Sequence, residues 1–122
     1  MREITDHHVS EADKQLVLLA VDQQSYGGAN HKYAVVHGDP DKLPHMLSVR
    51  FQEGPFNKAG INGVTNEVLL AIVADRLRGF QQGEFANKAN ACALTHIEEA
   101  MHWLQQRTIE RMRRGVEGTS GV

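Results

Sequence analysis

Apolar residues recur along this chain in two rhythms that change over near Phe51. Before that point they come as short runs: Leu16-Val17-Leu18-Leu19-Ala20-Val21, then Tyr33-Ala34-Val35-Val36 within His31 to His37, then Met46-Leu47-Ser48-Val49-Arg50-Phe51. Short apolar or alternating runs bounded by turn residues read as strands. The boundaries here are Asp22 with the Ser25-Tyr26-Gly27-Gly28-Ala29-Asn30 cluster, and Gly38-Asp39-Pro40, where proline lacks an N–H donor and has a fixed φ. The three runs predict an antiparallel sheet over about residues 14–52. Residues Met1 to Lys14 are polar and show no period, which reads as a loose or capping segment that a partner chain would have to order.

After Phe51-Gln52-Glu53-Gly54-Pro55 and the tight turn Gly60-Ile61-Asn62-Gly63, the period becomes helical. Thr65 reads as an N-cap, Glu67 falls in the first turn, and Leu69, Ile72, Val73, Leu77 and Phe80 make an apolar stripe that ends near Gly79 or Gly83. A longer helix follows from about Phe85 to Arg114, with Leu94, Ile97, Met101, Leu104 and Thr108 at near-heptad spacing and Gly115 as its stop. Two helices joined by a few residues pack as an antiparallel hairpin. The second outreaches the first, so its seam points to self-association, with packing on the local sheet as the equal competitor. The expected fold class is therefore α+β: an amino-terminal antiparallel β-sheet, a two-helix antiparallel hairpin over about 65–114 that dimerises, and a mobile glycine-rich tail at 115–122.

Composition narrows the function classes. A chain of 122 residues, 41% hydrophobic and 23% charged, suits one domain of ordinary globular make-up. With 6% aromatics its core must rest on aliphatic side chains, and oligomerisation would complete it. A formal charge of -2 gives no basic field for duplex nucleic acid. The single cysteine, Cys92, forms no intramolecular disulfide, the first residues lack the apolar run of a secretion signal, and no stretch is apolar enough to span a bilayer. The cytoplasm is the expected compartment, with no membrane partner.

Some of the remaining polar residues are placed to do chemistry. Arg107, Arg111 and Arg114 project from one helical face at i, i+4 and i+7, a self-repelling arrangement that an anion would relieve, although arginines near a helix C-terminus also complement the macrodipole. Phe80, beside Gly79 and Gly83, is placed either to close the core or to stack on a base. Asn90, early in the second helix, is an ordinary helix-start residue or a donor–acceptor pair for an adenine edge. Gly60 to Thr65 runs into a helix N-terminus without the Gly-Lys-Ser/Thr of a P-loop, which argues against an NTPase. Glu99-Ala100-Met101-His102 has the Glu-x-x-His spacing of di-iron bundles but occurs once, and neither His-Glu-x-x-His nor Gly-x-Ser-x-Gly is present. No cofactor or metal is expected.

One family resemblance unites these features. Phe51 to Pro55, Gly60-Ile61-Asn62-Gly63-Val64-Thr65-Asn66-Glu67, Asp75-Arg76-Leu77, Gly79-Phe80-Gln81, Asn90, Arg107-Thr108-Ile109-Glu110-Arg111 and Arg114-Gly115-Val116-Glu117-Gly118-Thr119 together resemble the phage Thoeris anti-defence protein one family. The resemblance is densest from Phe51 to Thr119, while the first fifty residues match by layout. It implies a non-enzymatic sponge that sequesters glycocyclic ADP-ribose, the signal of bacterial TIR enzymes, inside the infected bacterial host. It also implies a homodimer, in some members a hexamer built as a trimer of dimers that holds CBASS cyclic trinucleotides at separate sites. Carried over by position, it puts the base-stacking aromatic on Phe80, the base-reading amide on Asn90 and the phosphate-binding arginines on Arg107 and Arg111, with Asn62, Gly63 and Thr65 as pocket-wall candidates. Two rivals remain: a nucleotide hydrolase using Glu98, Glu99 or a histidine as general base, and a ligand-free helical adaptor built on the Leu94–Leu104 seam.

Overall fold

A computed structural model describes residues 1–39 and 46–119. Pro40, expected to stop the second strand, and residues 120–122 of the expected tail lie outside the described residues. The chain divides into two compact units, one of residues 1–54 with 59–63, the other of residues 55–58 with everything from Val64 onward.

Among the described residues, the first unit is a four-stranded antiparallel meander in the order β1 (Arg2–Ile4), β2 (Leu16–Ala20), β3 (Lys32–His37), β4 (Leu47–Arg50). Register pairs Glu3 with Leu19, Leu18 with Val35, and Tyr33 with Val49. Side chains alternate across a strand, so Leu16, Leu18 and Ala20 share a face with Tyr33, Val35 and Val49, while Val17 and Leu19 share the other with Ala34 and Val36. Tyr33 meets Phe51 edge-on at 5.7 Å.

The amino-terminal segment corrects the expectation of a loose end that needs a partner chain. Arg2–Ile4 is ordered by β2 of the same chain. A short helix, α1 (Glu11–Lys14), follows, started by a capping box in which Ser10 Oγ accepts from the Asp13 N–H and the Ser10 N–H donates to the Asp13 carboxylate, both at 3.1 Å. A three-residue strand and a one-turn helix are too short to leave a hydrophobic period.

The loop between β2 and β3 is built on Asp22. Its carboxylate accepts from the His31 N–H at 3.0 Å and from the Asn30 amide at 3.3 Å, while buried His31 turns its Nε2 to the Tyr26 carbonyl at 3.0 Å. The loop turns through Gly27 and Gly28 at φ 70° and 78°, a region that glycine enters without steric cost.

In the second unit α3 (Asn66–Gln81) and α4 (Lys88–Arg113) pack side by side as a hairpin. Thr65 caps α3 as expected, its hydroxyl accepting from Val68 N–H at 3.3 Å. Asn87 caps α4, its side chain accepting from Asn90 N–H at 2.7 Å, so the second helix begins at Lys88 rather than Phe85. Arg78 bridges to Glu98 at 2.9 Å across the pair. The face that α3 turns inward is Leu70, Ala74, Leu77 and Gln81, whereas Ile72 and Val73, expected in the buried stripe, are exposed. Leu94, Ile97, Met101, Leu104 and Thr108 are all half-buried. Gly115 at φ 70° stops α4. A one-turn helix, α2 (Phe56–Ala59), lies where the chain passes between the units.

Among the described residues, Ala20 and Ala74 are the only buried apolar side chains. The larger apolar side chains are partly covered and none is fully enclosed, so each unit has a thin core.

The Asp22 loop gives an acid-dependence. Burial pushes the Asp22 carboxyl up, but the His31 and Lys32 N–H groups and the Asn30 amide together outweigh it and hold the group below its usual 3.8. Its folded pKa is depressed, so the stabilisation is complete above 3.8 and is lost as pH falls through the lowered value. Titration of the His31 amide resonance is expected to show a transition below pH 3.8 that Asp22→Asn abolishes; an unshifted His31 amide in acid would contradict this.

Candidate functional site

The structure sorts the expected site residues into separate places. At the turn of the hairpin, Phe80, Glu84, Phe85, Ala86, Asn87 and Asn90 line a hollow of about 440 Å³. Phe80 enters from the last turn of α3 and Asn90 from the first turn of α4. Phe85 meets Phe80 edge-on at 6.0 Å, and the Arg76 guanidinium sits 5.1 Å from the centre of the Phe80 ring. The Asn90 amide nitrogen donates to the Phe85 carbonyl at 3.3 Å, and Asn87 donates to the same carbonyl at 3.1 Å. The amide of Gln81 closes the base of the turn, donating to the Asn87 carbonyl at 3.2 Å and accepting from the Asn87 N–H at 3.1 Å. A flat aromatic surface thus sits beside an amide whose orientation is fixed, the combination that holds a planar ring with a polar edge. Phe85 and Asn87 were not picked out from the sequence. Asn87 carried a signal as an N-cap directly before a helical period.

The arginines stand at the other end of α4. At 1.5 Å per residue, Arg107 lies about 25 Å along the axis from Asn90 and Arg111 about 31 Å. Both clusters cannot meet one small ligand within a single chain. The three arginines, expected on one helical face, are also not equivalent. Arg107 and Arg114 are exposed, but Arg111 is buried, with 7% of its surface accessible. Its Nε donates to the Glu117 carboxylate at 3.1 Å, and its Nη2 donates to the carbonyls of Val116 at 3.1 Å and Thr119 at 3.0 Å. The carboxyl tail is therefore folded back as far as Thr119 instead of loose from Gly115. Val116 N–H returns a bond to the Arg111 carbonyl at 3.0 Å, and the Thr119 hydroxyl donates to the Val116 carbonyl.

Asn62, Gly63 and Thr65 are engaged in architecture. The Asn62 side chain accepts from Glu53 N–H and donates to the Glu53 carbonyl, each at 2.8 Å, pairing like a strand. A Cβ on Gly63 would collide with the Phe51 carbonyl and with Arg50 O at 2.7 Å. Thr65 is the α3 cap, about 22 Å along that helix from Phe80. The hairpin's antiparallel course brings this capped N-terminus to the level of Arg107, on the same side of the hairpin's length.

Glu98 is paired with Arg78, and Glu99 lies 3.7 Å from His96 on an exposed surface. Among the described residues, no group of three His, Cys, Asp or Glu side chains is placed to hold a metal, and no helix is long and apolar enough to cross a membrane. Cys92 is exposed.

A meander sheet followed by a long helical hairpin, with an aromatic–amide hollow at the turn and arginines at the far end, defines an α+β hairpin protein. The family described as Acb2/Tad1, hairpin domain, matches residues 46–108. Thoeris anti-defense 1 of Bacillus phage SBSphiJ7 is 50% identical over 101 residues, which are 81% of this chain and 69% of that relative. The chain belongs to the Acb2/Tad1 hairpin-domain family.

The crowding at Gly63 has a measurable consequence. Gly63→Ala is expected to destabilise the fold by about 1–3 kcal/mol, the usual cost of forcing atoms into filled space. Urea unfolding measures it, and an unchanged midpoint would mean that the Arg50–Phe51 backbone yields freely.

Proposed function

We propose that this protein is a phage anti-defence sponge: it binds glycocyclic ADP-ribose made by TIR enzymes of Thoeris immunity and withholds it, uncleaved, within the infected cell. The observation that carries the reading is the division of labour along α4. A ring-binding hollow at Phe80 and Asn90 and a cationic end at Arg107 and Arg111 suit the two parts of a cyclic ADP-ribose, its flat adenine and its pyrophosphate. The relative's name, Thoeris anti-defense 1, supports the same biology.

The separation of about 25 Å between Asn90 and Arg107 within one chain makes the site a shared one. In a two-fold dimer with antiparallel α4 helices, the turn of one hairpin lies beside the arginine end of the other, and two identical sites form. Exposed Val68, Ile72 and Val73 on α3 and Trp103, Ile109 and Met112 on α4 supply apolar surface for such pairing, and the thin core supplies the need. In each site Phe80 stacks on adenine, Asn90 reads its edge, and Arg107 with Arg111 faces the pyrophosphate. Thr65 caps the start of α3, and Asn62 and Gly63 order the turn that precedes it in the chain. Further assembly into a trimer of dimers would create separate places for CBASS cyclic trinucleotides. Capture without turnover needs no catalytic group, and rigid placement makes release slow.

Incubating the protein with glycocyclic ADP-ribose, heating it and analysing the supernatant tests the reading. Intact ligand returned in proportion to protein is expected, and a cleaved product would make the chain an enzyme instead. Calorimetry is expected to show affinity lowered about 5- to 150-fold in Phe80→Ala, from lost base stacking. Arg107→Ala is expected to cost about 30-fold or more, from an unpaired phosphate charge. Wild-type affinity in both variants would reject the assignment.

A further inference from the structure

Arg111 is an unusual residue to offer to a ligand, because its charge is already buried and paired. Bringing a guanidinium out of water is costly unless a carboxylate and further acceptors receive it. Glu117 and the Val116 and Thr119 carbonyls do so, all supplied by the eight residues that follow it. Glu117 is about one-third exposed, so the pair sits at the surface edge of this buried knot. The tail that provides these acceptors is itself fixed from outside α4. Gly118, buried and at φ 80°, lies so close to the Phe56 ring that a Cβ there would overlap it, and its carbonyl accepts from Asn57 N–H at 3.0 Å. Phe56, Gly118, Glu117 and Arg111 thus form one latch, and exposed Arg107 and Arg114 stand one helical turn to either side of its arginine.

Resting on the capture reading above, we infer that the folded tail Gly115–Thr119 is a wall of the anion site and that Glu117 is the positioning residue for Arg111 within it. A guanidinium held by both Nε and Nη2 has its plane fixed, and a fixed plane is what recognition of a phosphate by arginine requires. The carboxylate that would repel the anion is spent on the arginine. The tail backbone closes the space beside Arg107 and Arg114 that open solvent would otherwise fill.

The sign of one substitution separates this role from mere proximity. If Glu117 were only a nearby negative charge, Glu117→Gln would tighten binding of a pyrophosphate. As the positioning residue, its loss weakens binding by about tenfold to a hundredfold, as second-layer partners of ligand-binding groups do. Calorimetric titration of wild type, E117Q, E117D and R111K with glycocyclic ADP-ribose, beside thermal melts of each, makes the test. The expected result is weakened capture in E117Q and R111K with a cooperative melt retained, and partial rescue in E117D. If E117Q does not melt cooperatively, Thr119→Val replaces it, since this removes the hydroxyl's bond to Val116 while leaving both charges, and a three- to tenfold loss is expected. Wild-type or tighter binding in E117Q, or in T119V where it is used, overturns the inference while leaving the capture reading intact. Failure of the wild-type protein to bind overturns that reading and this one with it.

Discussion

A single uninterrupted helix of 26 residues, about 39 Å long, is the constraint on which the rest of this molecule turns. It works as a ruler. At its amino end it fixes Asn90 beside Phe80 and Phe85, and near its carboxyl end it carries Arg107, Arg111 and Arg114. No glycine or proline interrupts it from Lys88 to Arg113, so the two chemistries are held apart by a rigid spacing that no side-chain motion can bridge. Any ligand that uses both must be held by more than one chain.

Packing supports the proposed pairing of chains. Two alanines are the only buried apolar side chains among the described residues, and the first helix of the hairpin leaves Ile72 and Val73 in solvent. Surface scaling explains why: a chain of 122 residues divided into two units gives each too little volume for large fully enclosed side chains. The second unit also holds a polar knot. Around Arg111 a buried charge, its carboxylate and a string of backbone carbonyls replace the missing hydrophobic core at the end of α4.

Much of this was legible in the chain. The strands β2, β3 and β4, the cap at Thr65, the two helices and the stop at Gly115 each have a local cause, a period or a residue with a special backbone, and local causes are written in sequence. Four features were not legible for physical reasons. β1 and α1 are too short for a period and owe their order to β2 and to the Ser10–Asp13 box. The inward face of α3 centres on Ala74, where small size rather than hydrophobicity decides which side approaches α4. The three arginines looked alike because spacing reports a shared face but not a partner, and Arg111 is set apart by Glu117 and Thr119, which reach it only when the tail turns back at Gly115. The hollow was half-read: Phe80 and Asn90 stood out for their chemistry, whereas Phe85 and Asn87 belong to it because the turn folds them there.

The proposed composite site makes a demand on stoichiometry that a site within one chain does not. The decisive measurement is glycocyclic ADP-ribose capture by a mixed dimer in which one subunit carries Phe80→Ala and the other Arg107→Ala. With each site drawing Phe80 from one subunit and Arg107 from its partner, both substitutions fall in one site and the other stays intact, so half-stoichiometric binding at wild-type affinity is expected. If each chain held its own complete site, neither would survive, and a mixed dimer with no high-affinity binding would contradict the shared site.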